Sequence, residues 1–430
     1  MFNVNFKKFF NFNNNISFCN LFLSISPALL IIGVVFLEFV NIYSSLIVIY
    51  SLLKKKIKIQ FNFIILLFGL FYIVINLSSF MSGDSNSIFK SIAYIRFFLL
   101  YLFIINFFNY YYFKLLLKII LISLLFLYID IFFQYITGKD FFGYPPDLNL
   151  NRYQGPFGEE LISGAYIKKY LFLSLILLIL IKKIYLLNIY LLLSITIAFI
   201  TGERMAFILI AFGILLFIFS DLKKNTIIFL SFFSFFTIIF LFLINPNLEN
   251  EKLKNIQNRY NNSFKIALGI DTSNKSNYKF TTNSVHFAHW ATALELFKQK
   301  PFFGHGIKQY RNKCSTIKST TLNNNYNIDL LRAETYKCTT HPHNFYLELI
   351  SETGALSLMI ILLLCVLYFK KILNLDNPNY RIPFFLCLLV HIFPIATTGS
   401  FFTNHNSFHF WFVISLIEFI YVNQLKKLDK

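Results

Sequence analysis

Apolar runs of about 20 residues recur along the whole chain, and that is the length an α-helix needs to cross the hydrocarbon core of a bilayer. Leu21 to Leu53 is almost unbroken, long enough for two close-packed spans with a tight turn expected near Glu38 to Asn41. Further runs lie at about Phe61 to Leu77, Ser91 to Phe107, Leu161 to Ile181, Ile184 to Ile200, Met205 to Ser220, Ile382 to Ile395 and Phe408 to Ile420. With 57% apolar and 14% charged residues in 430, the chain does not fit a soluble fold and does fit about twelve spans. The predicted fold is all-α and polytopic, with one long exoplasmic loop.

A formal charge of +19 could signal nucleic-acid binding, but the lysines do not form one basic domain. They fall between apolar runs, as in Lys54-Lys55-Lys56-Ile57-Lys58, Lys182-Lys183, Lys223-Lys224 and Lys370-Lys371, which is the placement of cytoplasmic loops. Counting from Lys7 and Lys8, the Lys-rich turns follow every second span and Lys426, Lys427 and Lys430 close the chain. Both termini are therefore predicted cytoplasmic, with no nucleic-acid partner and no cleaved signal peptide. Two ionic groups sit inside apolar runs. Arg96 either snorkels or faces the bundle interior, and Lys168-Lys169 suggest a tilted or irregular helix beside an aqueous cavity. The expected organisation is an N-terminal bundle over 1–244, a loop domain over 245–342 and C-terminal helices over 343–430.

Two polar stretches on the outer side have turn chemistry. Thr137 to Glu160 is dense in Gly and Pro and reads as a defined turn. In the long loop, His286 to Phe297 reads as an amphipathic helix stopped by Pro301-Phe302-Phe303-Gly304-His305-Gly306, and Ser315 to Ile328 as a mobile Asn/Thr-rich segment. Cys314 and Cys338 lie in this loop and either form a disulfide or remain free thiols; Cys19, Cys365 and Cys387 read as buried small residues. Neither loop cysteine has a second Cys two to four residues away, so no metal-ligand spacing appears.

The most concentrated chemistry is Cys338-Thr339-Thr340-His341-Pro342-His343-Asn344, running directly into the apolar segment that contains Glu348, Glu352 and Gly354. The outer face also collects Arg152, Glu159, Glu203, Arg204, Arg259, His286, Arg311, Arg332 and Glu334. Histidine carries protons near neutral pH, and the guanidinium fork matches phosphate oxygens. An exoplasmic enzyme has no nucleotide sugars to draw on. A sugar activated on a lipid diphosphate would leave a diphosphate that arginine could hold, while a histidine took the acceptor proton. Each residue also has a structural alternative: Arg204 as an interfacial anchor, His341 and His343 as hydrogen bonders at a helix start, Glu352 satisfying bundle polar groups, Arg259 and Arg311 as loop surface. A polysaccharide transporter and a non-catalytic glycan-binding protein are the readings from other classes. Against the transporter, the polar groups gather at the outer rim rather than at the midplane.

His343-Asn344, nine residues and then Gly354 resemble the His-(Asn/Ser/Gln)-x9-Gly signature of the bacterial O-antigen ligase and polymerase family, with Pro342 and Glu352-Thr353 as usual neighbours and Ser357 a departure at the last position. Thr201-Gly202-Glu203-Arg204 resembles the family's Ser-Gly-x-Arg turn, Pro301 to Gly306 its Pro-x-x-Gly-x-Gly, and Phe393-Pro394 to Phe402 its closing outer turn. His286 stands where the family usually has an Arg, four residues before Trp290. The resemblance implies a glycosyltransferase of the C fold type in a bacterial inner membrane, with an undecaprenyl-diphosphate-linked glycan as donor and lipid A–core or another lipid-linked glycan as acceptor. It implies an inverting step with no metal or other cofactor, His343 as general base and Arg204 on the diphosphate. Arg311, Arg259, His286, His341, Asn344, Glu352, Arg152 and Arg96 are the remaining candidates for holding substrate.

Overall fold

The computed structural model describes residues 12–59, 61–147, 150–221, 226–245, 250–267 and 285–428. Lys7, Lys8, Lys223, Lys224 and Lys430, which mark predicted cytoplasmic ends, lie outside these. In chain order the helices are α1 (Phe12–Ile32), α2 (Val34–Leu53), α3 (Phe63–Ser82), α4 (Ser85–Ala93), α5 (Ile95–Phe107), α6 (Tyr110–Thr137), α7 (Ser163–Ile181), α8 (Ile184–Ile200) and α9 (Arg204–Ser220). They continue as α10 (Thr226–Ile244), α11 (Glu251–Ala267), α12 (Val285–Gln299), α13 (Tyr310–Lys313), α14 (Ser319–Tyr326), α15 (Leu330–Tyr336), α16 (Phe345–Leu373), α17 (Pro378–His391) and α18 (Asn404–Leu428). No strand occurs among the described residues, only an isolated bridge between Asp147 and Arg152.

By length and apolarity, nine of the described helical stretches can cross a membrane, so the protein is an all-α, multi-pass membrane protein. The difference from about twelve spans lies in α8 and α9, 17 residues each, and in α17, which has 14 residues and an internal Pro383. Helix faces confirm the solvent they meet. On α3, Phe63, Leu66, Leu70, Ile73, Leu77 and Phe80 are exposed, whereas Phe68, Phe71, Ile75 and Ser78 are buried; an apolar outward face belongs in lipid. The first turn falls elsewhere than expected. The break between α1 and α2 is at Gly33, and Glu38 to Asn41 lie inside α2, because a helix satisfies its own backbone beneath polar side chains whereas Gly is a weak helix former.

The chain divides into two compact units. The first comprises Met1–Val40, Phe108–Lys265 and Leu375–His391. Its spine is α6, which buries Phe113, Leu116, Leu117, Ile120, Leu124, Leu127 and Ile131 at helical spacing and packs on α1 and α7. Helix α7 is regular rather than irregular: Lys168 and Lys169 are buried within it, and it is covered by α6, α8, α9 and α17.

The second unit comprises Asn41–Phe107, Ile266–Asn374 and Ile392–Lys430. Helix α16 packs on α3 and α12, and α18 packs on α5. Trp411, fully buried on α18, donates Nε1–H to the Tyr94 hydroxyl at 2.9 Å. The loop region has a core of its own, formed by Ala288, Ala291, Leu296, Tyr310, Cys314, Ile317, Leu322, Ile328 and Ala333. Cys314 and Cys338 form a disulfide across it. The segment from Ser315 to Ile328 is therefore not mobile: Ile317, Leu322 and Ile328 are buried in that core, and α14 lies between the first and last of them.

Candidate functional site

In the first unit, the turn Thr201-Gly202-Glu203-Arg204 joins α8 to α9 and gathers three arginines. Gly202 has φ +70, and a β-carbon there would come within 2.7 Å of the Asn151 carbonyl oxygen and 3.0 Å of Arg259 Nε; only glycine lets these groups close in. Glu203 accepts the backbone N–H groups of Gly164 at 2.9 Å and Ala165 at 3.0 Å, so it caps the start of α7. It also pairs with Arg152 Nη2 at 3.0 Å, and Arg152 donates to the Leu161 carbonyl at 2.8 Å. Arg259, on α11, donates Nε–H to the Gly202 carbonyl at 2.7 Å and Nη1–H to the Leu150 carbonyl. Arg204 opens α9 with an exposed side chain.

Among the described residues, Glu203 is the carboxylate that stands among Arg152, Arg204 and Arg259. Burial, followed by the positive charges of Arg204 and Arg152, pushes Arg259 down to about 10, so it remains charged at neutral pH. Burial also raises the Glu203 carboxyl, against the opposing pull of Arg152. Such an excess of cations is a place where an added anion is stabilised.

In the second unit the histidines come together. Asn344 caps α16, accepting from Tyr346 N at 3.0 Å and Leu347 N at 3.1 Å, while its amide donates to the Pro394 carbonyl at 2.8 Å. Expected to hold substrate, it spends its amide group on the local fold. His343 precedes it in the left-handed region at φ 55, a conformation uncommon for a residue with a side chain, and its carbonyl accepts from Thr398 N at 2.9 Å. The ring lies 5.2 Å from that of His286 and 5.5 Å from that of His289, centroid to centroid. The His341 ring lies 4.1 Å from it, tilted by 47°, with both nitrogens engaged: Nδ1 with the Thr340 hydroxyl at 2.9 Å and Nε2 with the Thr398 carbonyl at 3.1 Å. Burial lowers the pKa of His343, partly offset by the Thr398 backbone. Burial and then the charge of His343 take His341 down to about 3. Both rings are therefore neutral at pH 7, and His343 keeps a lone pair to accept a proton.

The two glycine motifs of this unit are pieces of one device. Helix α16 is broken at Gly354, with φ 79 and ψ 175, and the broken edge is zipped to the Pro301–Gly306 turn. His305 N donates to Ser351 O at 3.1 Å, Gly306 N to Glu352 O at 2.7 Å and Ala355 N to Pro301 O at 2.8 Å. A β-carbon on Gly304 would lie 2.5 Å from the Glu352 carbonyl carbon. Glu352, expected to bind substrate, is instead fully buried, and its carboxylate accepts Lys308 N at 2.7 Å and Tyr310 N at 3.3 Å. It fixes the turn that follows the motif.

Sequence reasoning assigned no individual role to four residues here. Glu348 accepts from the Ser400 hydroxyl, and from Phe401 N at 2.6 Å; Lys308 Nζ donates to that same hydroxyl at 2.6 Å. Glu348, Lys308 and Ser400 so tie α16 to the outer turn before α18, and no local motif marks them. His289 is the fourth; its spacing of three from His286 on α12 was the available signal. Two candidates of this unit remain, and the charge of Arg311 acts on His341. Arg311 is exposed on α13. Arg96, at the start of α5, donates to the Ala93 carbonyl at 2.7 Å and to Asn404 Oδ1 at 3.2 Å, its guanidinium 4.5 Å from the Phe97 ring centre.

Comparison with known proteins falls on this same part of the chain. Residues 189–362 match the family model described as O-antigen ligase, a stretch that holds the arginine turn, the Pro301–Gly306 turn and the histidines. A 100-residue stretch is 26% identical to a Rickettsia conorii protein provisionally named a polysaccharide ligase. That match spans 23% of this chain and 23% of its relative. Residues 189–362 of this chain are thus similar to the O-antigen ligase family.

Proposed function

We propose that the protein is a glycosyltransferase that moves a glycan from undecaprenyl diphosphate to an acceptor hydroxyl of lipid A–core, a ligase reading that the family description supports. The observation that carries the reading is the arginine cluster around Gly202, three cations against one carboxylate, in a chain that also holds neutral His343 at a helix start. In this reading Arg204, Arg259 and Arg152 take the diphosphate. His343 accepts the acceptor's proton as its oxygen bonds to the anomeric carbon. The bond from that carbon to the diphosphate breaks, the electron pair leaves on the diphosphate, and the centre inverts. Nothing in this step calls for a metal. The topology proposed with it has about twelve spans, a C-type bundle, both termini in the cytoplasm and the 285–342 region outside a bacterial inner membrane.

The test uses purified protein, lipid-diphosphate-linked oligosaccharide and lipid A–core. Glycosylated lipid A–core is expected; a ladder of lipid-linked glycan formed without that acceptor would mark a polymerase, and donor bound without turnover a transporter. His343→Asn should lose about 10²–10⁴ in rate, the worth of a general base, with donor binding retained. Arg204→Ala with Arg259→Ala should weaken donor binding. Transfer by His343→Asn at the wild-type rate would remove the general-base assignment.

A further inference from the structure

His286, His289 and His343 each offer a ring nitrogen, and these three atoms all lie within 4.8 Å of one another. Two of the residues come from one face of α12 and the third from the left-handed position before α16. Zinc held at about 2.0–2.1 Å by tetrahedral imidazoles would set their nitrogens roughly 3.3 Å apart. Side-chain rotations that move each nitrogen by an ångström or less would reach that spacing.

The surroundings are those of a ligand set rather than of three surface rings. His289 is buried and its ring is hydrogen-bonded to the Tyr336 backbone. Its Nδ1, also buried, has no hydrogen-bond partner among the described residues. A histidine anchored through one nitrogen to a backbone oxygen, with the other left open toward its neighbours, is the usual outer-shell arrangement of a metal ligand. Thr398 plays the corresponding part for His343. Burial, then the neighbouring His343 and His286, bring His289 down to about 4, so its lone pair is available at neutral pH. His286 and His343 are only half-buried, which leaves an approach from solvent and room for water as a fourth ligand. An imidazole-only set suits borderline dications and not Mg2+ or Ca2+, which take oxygen.

We propose that His286, His289 and His343 bind one borderline transition-metal dication of the Zn2+ class, and that the bound ion occupies the His343 nitrogen that glycan transfer needs free. The second half rests on the general-base reading given above. Zinc here is an inhibitor that the base itself helps to hold, and His286, standing where the family's arginine would be, is the ligand that makes this possible.

The experiment uses the full chain in detergent, stripped with a chelator and then dialysed. Zn2+ is titrated against a chromophoric competitor, and Co2+ is added separately to read its visible ligand-field bands. One equivalent per chain is expected, with the intense spectrum of a four-coordinate site. His286→Asn and His286→Arg, at a half-buried position, should each weaken binding at least tenfold. Absence of stoichiometric binding, or binding unchanged in both variants, overturns the site. In the transfer assay Zn2+ should inhibit with the affinity found by titration, and chelator should restore the rate. Full transfer with the ion bound overturns the inhibitory half. Zinc binding that follows His286 in a protein with no transfer activity would uphold the site and sink the functional reading instead.

Discussion

Replacing Gly354 with alanine places a methyl group where the chain has left no room. The residue sits at φ 79 and ψ 175, a region essentially reserved for glycine, and another residue held there pays about 1–3 kcal/mol. The added β-carbon would overlap the Phe302 carbonyl and lie 2.5 Å from Phe303 N. Both obstacles are backbone, so no side chain can swing away. Relief requires the Pro301–Gly306 turn to separate from α16, which gives up the bonds from Gly306 N to Glu352 O and from Ala355 N to Pro301 O, each worth about 0.5–1.5 kcal/mol net. Together these give a loss of roughly 4 kcal/mol. Gly69→Ala is the control: nothing lies within 4 Å of its β-carbon site, and a mid-helix Gly to Ala change should be neutral or stabilising by up to about 1 kcal/mol. Denaturation in detergent micelles can be followed in single-tryptophan forms, Trp290 reporting on α12 and Trp411 on α18. Gly354→Ala should lower the midpoint seen by Trp290 first, and transfer activity should fall with it. A midpoint equal to that of Gly69→Ala at both probes would refute the claim that the turn and the broken helix are locked together.

Glu348→Ala should destabilise the second unit by about 3–5 kcal/mol, because it leaves buried Lys308 with one fewer carboxylate neighbour and Phe401 N–H without its acceptor; chemical denaturation checks this, and loss of the same size in Lys308→Met with Glu348→Leu would argue against the pairing. Cys314→Ser with Cys338→Ser opens a disulfide across a separation of 24 residues, expected to cost about 3–4 kcal/mol in the chain-entropy model; protease should then cut between α12 and α16 in the double variant and not in the oxidised wild type.

The apolar runs made the helices legible, because a bilayer demands a fixed length of hydrocarbon and a chain can hardly hide it. Asn62, Asn109 and Asn344 each stand one residue before a helix and accept its first N–H groups, local caps that the sequence reading did not single out. What local sequence does not carry is pairing between distant segments. Gly304 and Gly354 read as two separate turn signals, yet each needs its missing side chain because of the other's segment. Glu352 lies in the same motif as His343 and so reads as a site residue, although its oxygens are both spent on the backbone of 308–310. The Asn/Thr-rich stretch reads as mobile because its three buried apolar residues, Ile317, Leu322 and Ile328, are too few to signal a core without the helices that cover them. His289 looked like one more polar residue on a helix until the fold set His343 beside it.

The interleaving of the two units has a consequence for how the protein is made. The first unit is complete only with Leu375–His391, whose first residue is 375 − 265 = 110 positions beyond Lys265, the end of its previous segment. At synthesis rates of about 5–20 residues per second, its partly assembled helices wait roughly 5–20 s for α17 while residues of the other unit emerge. During that interval the face of α7 that α17 will cover is open to lipid with Lys168 and Lys169 on the same helix. Such a helix invites premature pairing with any neighbour in the insertion machinery, so the yield of folded protein should depend on how fast the ribosome traverses residues 266–374.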